Sequence, residues 1–358
     1  AKHVYDGKGD YRANPTNLQP IGTGPFVFKE WKRGAYIRLE RNPHYWKKDL
    51  PYLDAVVFHV IPDAASRAAA FERGDIHSLR SGDADYADLA RLAALPGVTR
   101  SEEGWELFRG QAFLQINTRK APLGNAKVRE AILLSLDRRF IVDNIFFGTG
   151  KPAEGIFPIG SPEHDPQLEQ HAYNPAKALQ LIKESGVDVS KVRLRLLNGE
   201  KGGAWERLAE YTRQALQPLG IKVQVLTSDS ATWYQRVSDW DFDLTYNFSF
   251  QVGDPYLSTS YFYRTDNIAK GSPFNNVVGY SNPEADALWT QATDAPDAAA
   301  HQATYRRLEA VLNRDLPILP IFEMRFPTLY HSNVKNLLKT ATSLNDSLDD
   351  VYLEQTGQ

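Results

Sequence analysis

The chain has 358 residues, 42% hydrophobic and 24% charged, with a formal net charge of −3. This ordinary globular composition excludes disordered, collagen-like and coiled-coil architectures, and the near-neutral balance argues against a dedicated nucleic-acid or membrane-surface binder. The length suits about two domains, and no apolar run approaches the roughly 18 residues of a membrane span. Aromatic residues are plentiful at 11% (7 Trp, 17 Tyr and 17 Phe). Rings fill a core or line a ligand cleft, and composition does not choose between the two.

Residues 1–20 are polar and turn-rich. Residues 26–31 and 35–40 alternate apolar and polar side chains around Lys32-Arg33-Gly34, which predicts two strands. Residues 55–61 are apolar except for His59, as in a buried strand. The Ala-rich stretch 64–73 predicts a helix closed by Gly74, followed by a short strand at 76–79. A helix over 86–95 ends at Pro96-Gly97, and 105–117 reads as a long strand. A long helix is predicted over 127–147. Asn174-Pro175 caps the next helix, closed by Gly186. Strands at 192–197, 221–226 and 242–248 then alternate with helices at 204–218 and 231–238. That order implies a parallel or mixed sheet covered by helices. Helices follow from Asn282-Pro283 and over 298–313. The strand at 317–322 carries Pro317 and Pro320, which places it at an edge or crossover. A short strand and turn are expected within 330–338.

No cysteine is present, which excludes disulfides, thiolate metal sites and cysteine nucleophiles. The chain starts at Ala1 without a signal peptide, so it is expected to be processed or cut from something longer. His164 and His171 share a loop, but their spacing matches no common helical zinc motif. Gly22-Thr23-Gly24 and Gly148-Thr149-Gly150 complete no nucleotide loop, and no GxSxG elbow occurs. No catalytic residue, metal site or cofactor is therefore assigned. One stretch, 248–263, is dense in rings and hydroxyls and is expected as a loop after the 242–248 strand. Ligands of open α/β sheets bind outside such strand ends. Phe248, Phe250 and Tyr256 are its candidate stacking rings, unless the later rings simply pack beneath it.

Several ordered segments carry a resemblance. They are Gly22-Thr23-Gly24-Pro25-Phe26, Arg41-Asn42-Pro43-His44-Tyr45-Trp46, Pro51-Tyr52-Leu53-Asp54 and Phe71-Glu72-Arg73-Gly74-Asp75. Further along come Leu114-Gln115-Ile116-Asn117-Thr118, Lys127-Val128-Arg129-Glu130-Ala131, Asp254-Pro255 and Leu316-Pro317-Ile318-Leu319-Pro320. Together they resemble the family 5 extracellular solute-binding proteins of ABC importers, which bind dipeptides, oligopeptides and nickel. The resemblance implies an α/β, two-lobed periplasmic-binding-protein architecture of the type II, large cluster-C-like kind. One complete lobe, with helices on a mixed sheet, would span 111–322. A partial lobe would be made from 1–110 plus 323–358, the family's N-terminal portion being missing.

The implied function is capture of a peptide or peptide-like solute between the lobes by hinge closure, with delivery to an ABC permease in the membrane. A non-peptide solute such as an opine, sugar conjugate or metal chelate is the alternative, as is a hydrolase using the same cleft. The implied protein is a monomer, periplasmic or lipid-anchored at the outer face of the cytoplasmic membrane, with no nucleic-acid partner. Peptide binders of the family hold the ligand ammonium with an Asp. Aligning on Asp254-Pro255 puts Gln251 at that position, where an amide hydrogen-bonds an ammonium without neutralising it.

The other candidates each keep a plain alternative. Trp105 and Phe108 line the cleft or pack in the hinge. Asn198 and Glu200 belong to a glycine-rich loop before a helix, suited to an anion or simply a βα connection. Arg109 pairs with a ligand carboxylate or is structural. Asp254 binds a cation or caps the turn that follows it.

Overall fold

The structure, a computed structural model, describes residues 2–355 other than residues 8, 10, 81, 200, 343 and 344; at Lys2 and Arg12 only the backbone is described. The chain divides into two compact units, Ala1–Glu106 with Phe326–Gln358, and Leu107–Arg325. It therefore passes from the first to the second once and returns once.

The first unit begins with an antiparallel meander of β1 (Phe26–Lys32), β2 (Tyr36–Arg41) and β3 (Ala55–His59). The pairs Phe28↔Leu39, Trp31↔Ile37, Leu39↔Val56 and Ile37↔Phe58 put six apolar side chains on one face. No residue of these strands is fully buried, and Phe58 is 52% exposed. The buried strand expected at 55–61 is thus an edge strand, half-buried at Ala55 and Val56 and exposed from Val57 to His59. Helix α1 (Ala64–Glu72) is capped by the Asp63 side chain on the Ser66 N–H, and Gly74 turns left-handed after it. Strand β4 (Ser78–Leu79), helix α2 (Leu89–Ala93) and β5 (Val98–Ser101) follow.

The second unit is built on β6 (Arg109–Ile116), which starts four residues later than the sequence predicts. The helix expected over 127–147 breaks. Helix α3 (Ala126–Leu134) stops where the Ser135 hydroxyl bonds back to the Ala131 carbonyl. The Asp137 carboxylate then caps a new short turn at the Phe140 N–H, and a π-type turn, Ile141–Ile145, completes the stretch. A side-chain donor at Ser135 and a side-chain acceptor at Asp137, each competing with the helix ladder, explain the interruption. Then come β7 (Gly150–Pro152), α4 (Pro175–Glu184), β8 (Arg193–Asn198), α5 (Ala204–Leu216), β9 (Lys222–Thr227), α6 (Ser230–Ser238) and β10 (Leu244–Gln251). Helices α7 (Pro283–Thr293) and α8 (Ala298–Asp315) lead to β11 (Ile318–Met324).

These strands form one mixed sheet in the order β7-β11-β6-β10-β8-β9, with β8 parallel to both its neighbours. Pro320 is tolerated within it for a local reason. Strand β7 reaches only Phe322–Met324, so β11 is an edge over its first half and interior over its second. A register shift lies between Pro320 and Phe322. The main core packs α7 and α8 against the sheet through Trp289, Tyr305, Phe157, Phe262 and Phe113. After β11 the chain returns to the first unit as β12 (Thr328–His331), which slots between β4 and β5, and ends with the pair β13 (Val334–Lys335) and β14 (Tyr352–Leu353). Leu329 of β12 closes the core of Phe71, Leu79 and Leu92.

Candidate functional site

Of the candidate residues, Phe108, Arg109, Phe248, Phe250, Gln251 and Asp254 lie at one end of the β6–β10 pair. Strand β10 runs to Gln251, so Phe248, Phe250 and Gln251 are strand residues rather than loop residues. Their ladder partners are Ala112, Gly110 and Arg109. Successive strand residues point to opposite faces. Phe248 and Phe250 therefore share one face, and Gln251 lies on the other.

The first face is a ring platform. The Phe248 ring lies near-parallel to Trp205, with centroids 6.1 Å apart and planes at 26°. Phe250 meets Phe248 edge-on at 5.6 Å and Phe108 at 5.7 Å. All four rings are partly exposed. Trp205 stands in the first turn of α5, backed by Phe146 and Phe322. Helical spacing in the sequence puts it on one face with Leu208, Ala209, Thr212 and Leu216; its place just after the 198–203 loop is the signal that sets it apart. Trp105 belongs to the first unit, where it packs on Phe326 at 4.7 Å. Arg109 is exposed.

The opposite face is polar. Gln251 is 6% exposed and Glu163 8%. The Gln251 Nε2 amide donates to Glu163 Oε2 at 3.2 Å, while Gln251 Oε1 is buried without a hydrogen-bond partner. Nothing local in the sequence points to Glu163, 88 residues away along the chain. Asp254 takes the capping role. Its Oδ1 accepts from the Tyr256 N–H at 2.7 Å and the Tyr305 hydroxyl at 2.5 Å, and its Oδ2 lies 2.7 Å from His301 Nε2. Burial opposes ionisation of Asp254, but these bonds hold its carboxyl below the ordinary range. Burial and the Asp254 carboxylate together push the Tyr305 hydroxyl up. The Tyr256 ring packs against the Arg264 guanidinium, 4.6 Å from its centroid.

Below this edge, the 153–168 loop is fixed by Glu309 of α8, which is fully buried. Its carboxylate accepts from the N–H groups of Phe157 (3.2 Å) and Asp165 (2.7 Å), and His164 Nδ1 lies 3.2 Å away. That hydrogen bond outweighs burial and raises the His164 imidazole above its usual range. A Cβ at Gly155 would overlap Glu309 and Leu168, so only glycine fits there. His171 faces elsewhere, with Nε2 3.2 Å from the Asn313 carbonyl.

The glycine-rich loop satisfies its own helix. The Gly202 N–H donates to Glu206 Oε2 at 2.6 Å, and Glu206 Oε1 accepts from Thr227. The start of α5 thus already holds a carboxylate from its own first turn. Asn198 is buried at the end of β8, its amide 3.4 Å from the Thr227 hydroxyl. Gly199 passes under Trp233, where a Cβ would come within 2.9 Å of the ring. Glu200 lies outside the described residues.

Comparison with known proteins identifies the family. The family model described as bacterial extracellular solute-binding proteins, family 5 Middle, matches residues 2–270. The "Probable D,D-dipeptide-binding periplasmic protein DdpA" of Escherichia coli (strain K12) is 29% identical over 352 residues, covering 98% of this chain and 64% of that protein. The "Oligopeptide-binding protein AppA" of Bacillus subtilis (strain 168) is 29% identical over 326 residues, covering 86% of this chain and 58% of that protein. The chain thus spans about three-fifths of the length of these relatives. The solved structure of the Bacillus subtilis oligopeptide-binding protein AppA, in complex with a nonapeptide, superposes with a TM-score of 0.85 at 24% identity, over 99% of this chain and 72% of that one. The shared fold is that of periplasmic binding proteins, mixed α/β with helices on a mixed sheet. The chain belongs to the bacterial extracellular solute-binding proteins, family 5.

Proposed function

We propose that this chain is the solute-capturing part of an ABC importer's binding protein, that its solute is a peptide, and that it works outside the cytoplasmic membrane and passes the solute to a membrane permease. The observation that carries the reading is the family match along residues 2–270. The platform of Trp205, Phe248, Phe250 and Phe108 supports it, since ring faces take apolar side chains and peptide planes without demanding one sequence. In this reading the two compact units are the lobes, and capture is a population shift: solute contacts favour a closed form, which the permease recognises. The protein binds its solute and breaks no bond. It needs no cofactor and acts as a monomer.

A thermal-shift screen with short peptides tests this, with mass spectrometry of the peptide recovered afterwards. A peptide at about 100 times its Kd stabilises the folded state by roughly 2.7 kcal/mol, and it is recovered intact. Cleavage of any stabilising peptide would sink the binding-only reading and favour a hydrolase.

A further inference from the structure

Polar side chains of three adjacent strands hold one surface segment, residues 153–168. Gln111 Nε2 of β6 donates to the Gly155 carbonyl at 2.6 Å, and Glu323 Oε1 of β11 accepts from the Ile159 N–H at 2.6 Å. Gln251 of β10 meets Glu163. Gln111 pairs with Glu323 across one ladder and with Ser249, two residues before Gln251, across the other, so all three lie on one face. The first half of this strap is also anchored by the buried Ile156 and Phe157 side chains. Residues 163–165 are held by polar groups instead. His164 is 5% exposed and stands between two carboxylates, with Nδ1 3.2 Å from Glu309 of α8 and Nε2 3.4 Å from Glu154 of the strap. A neutral imidazole donates from one nitrogen and presents a lone pair at the other, so only the imidazolium satisfies both. Glu323 also faces the ring, its own ion pair being Lys151 of β7 at 3.2 Å, and Asp165 gives its N–H to Glu309. Tyr263, close to Glu309, has its hydroxyl pushed up by burial and stays neutral. Among the described residues, His164 is the one cationic group paired with the fully buried Glu309.

We infer that the 153–168 strap is a pH-sensitive latch: the protonated His164 ring clamps residues 163–165 onto α8 and the end of β10, and loss of that proton frees them. While the ring is charged, both carboxylates receive a donor. As pH climbs through its titration, one of them faces a lone pair, and the buried Glu309 loses its counter-charge. The hydrogen bond to Glu309 outweighs burial and holds the imidazole above the ordinary 6.5, so release falls on the alkaline side. Release takes Glu163 away from Gln251, so the latch sets the polar side of the β10 end. The segment opens locally while the helices behind it stay folded. This inference uses the folded chain alone and does not depend on the solute.

Hydrogen exchange read by mass spectrometry and corrected for the intrinsic rate tests it, on the chain and on His164→Gln, between about pH 6 and about pH 9. In the chain, protection of residues 157–165 falls by at least about tenfold over this range, the worth of one hydrogen bond to a charged group, while protection of α8 is kept. In His164→Gln, whose side chain carries no charge, the strap exchanges fast throughout. Protection that is constant with pH in the chain, that falls together with that of α8, or that still falls in His164→Gln overturns the inference. Glu154→Gln gives a second reading at a side chain that is 44% exposed. Nitrogen NMR of the ring finds the His164 midpoint above 6.5 in the chain and lower in Glu154→Gln. A midpoint at or below 6.5, or one that Glu154→Gln leaves in place, sinks the latch even if His164→Gln fails to fold.

Discussion

His164 and Glu309 show how one buried pair conditions a loop. The Glu309 carboxylate holds the His164 imidazole above its usual pKa of 6.5. A group whose pKa rises on folding adds stability below its unfolded value and loses it as pH climbs through the folded one. The chain should therefore lose stability on going from pH 6 to mildly alkaline conditions, by up to about 1.5–3 kcal/mol, the worth of a hydrogen bond to a charged group. Urea melts of the chain and of His164→Gln across that range check this; a parallel pH trend in both would remove His164 as the cause. The same loop carries Glu163, and here the sequence was silent. Asp254 could be singled out because it begins a recognisable Asp-Pro pair, and Gln251 because it stands three residues before that pair. Glu163 meets Gln251 only through the fold, and no spacing, turn chemistry or periodicity encodes a contact of that separation.

At the scale of elements, local chemistry was the most legible layer. Asn174 and Asn282, read from their Asn-Pro pairs, each cap the helix that follows with a side-chain oxygen accepting from a first-turn N–H; Asp63 and Asp297 do the same without having been singled out in the sequence. Of the α5 stripe of Trp205, Leu208, Ala209, Thr212 and Leu216, the last four are buried as the spacing implies, whereas Trp205 stays half-buried. The misreadings come from competition. Ser135 and Asp137 divide a continuous apolar pattern into two helical pieces, because apolar periodicity does not register a side-chain cap inside it. Asp137→Ala should then cost about 0.5–2 kcal/mol, the usual worth of a cap, read as a lower urea midpoint at unchanged m-value. An unchanged midpoint would mean that the Phe140–Tyr211 stack alone fixes this corner. Strand β10 runs on to Gln251 because β6 supplies ladder partners as far as Arg109, a tertiary fact invisible from either strand alone.

At the scale of the whole molecule, the order of strands and helices already implied a mixed sheet with helices against it, and the sheet order and register are what folding adds. The two faces of the β6–β10 end could not be assigned before that register was known. It is the register that parts the rings of Phe248 and Phe250 from the acceptor of Gln251. The first unit carries a different consequence. Apolar area left in water is penalised further by salts that are excluded from protein surfaces. The β1–β3 face of Phe28, Trp31, Ile37, Leu39, Val56 and Phe58 should therefore govern how this polypeptide behaves in concentrated ammonium sulfate. Placing lysine at Trp31 and Phe58 together should raise the sulfate concentration at which it precipitates and reduce its binding of hydrophobic dyes. An unaltered salting-out curve would mean that some other surface controls its solubility.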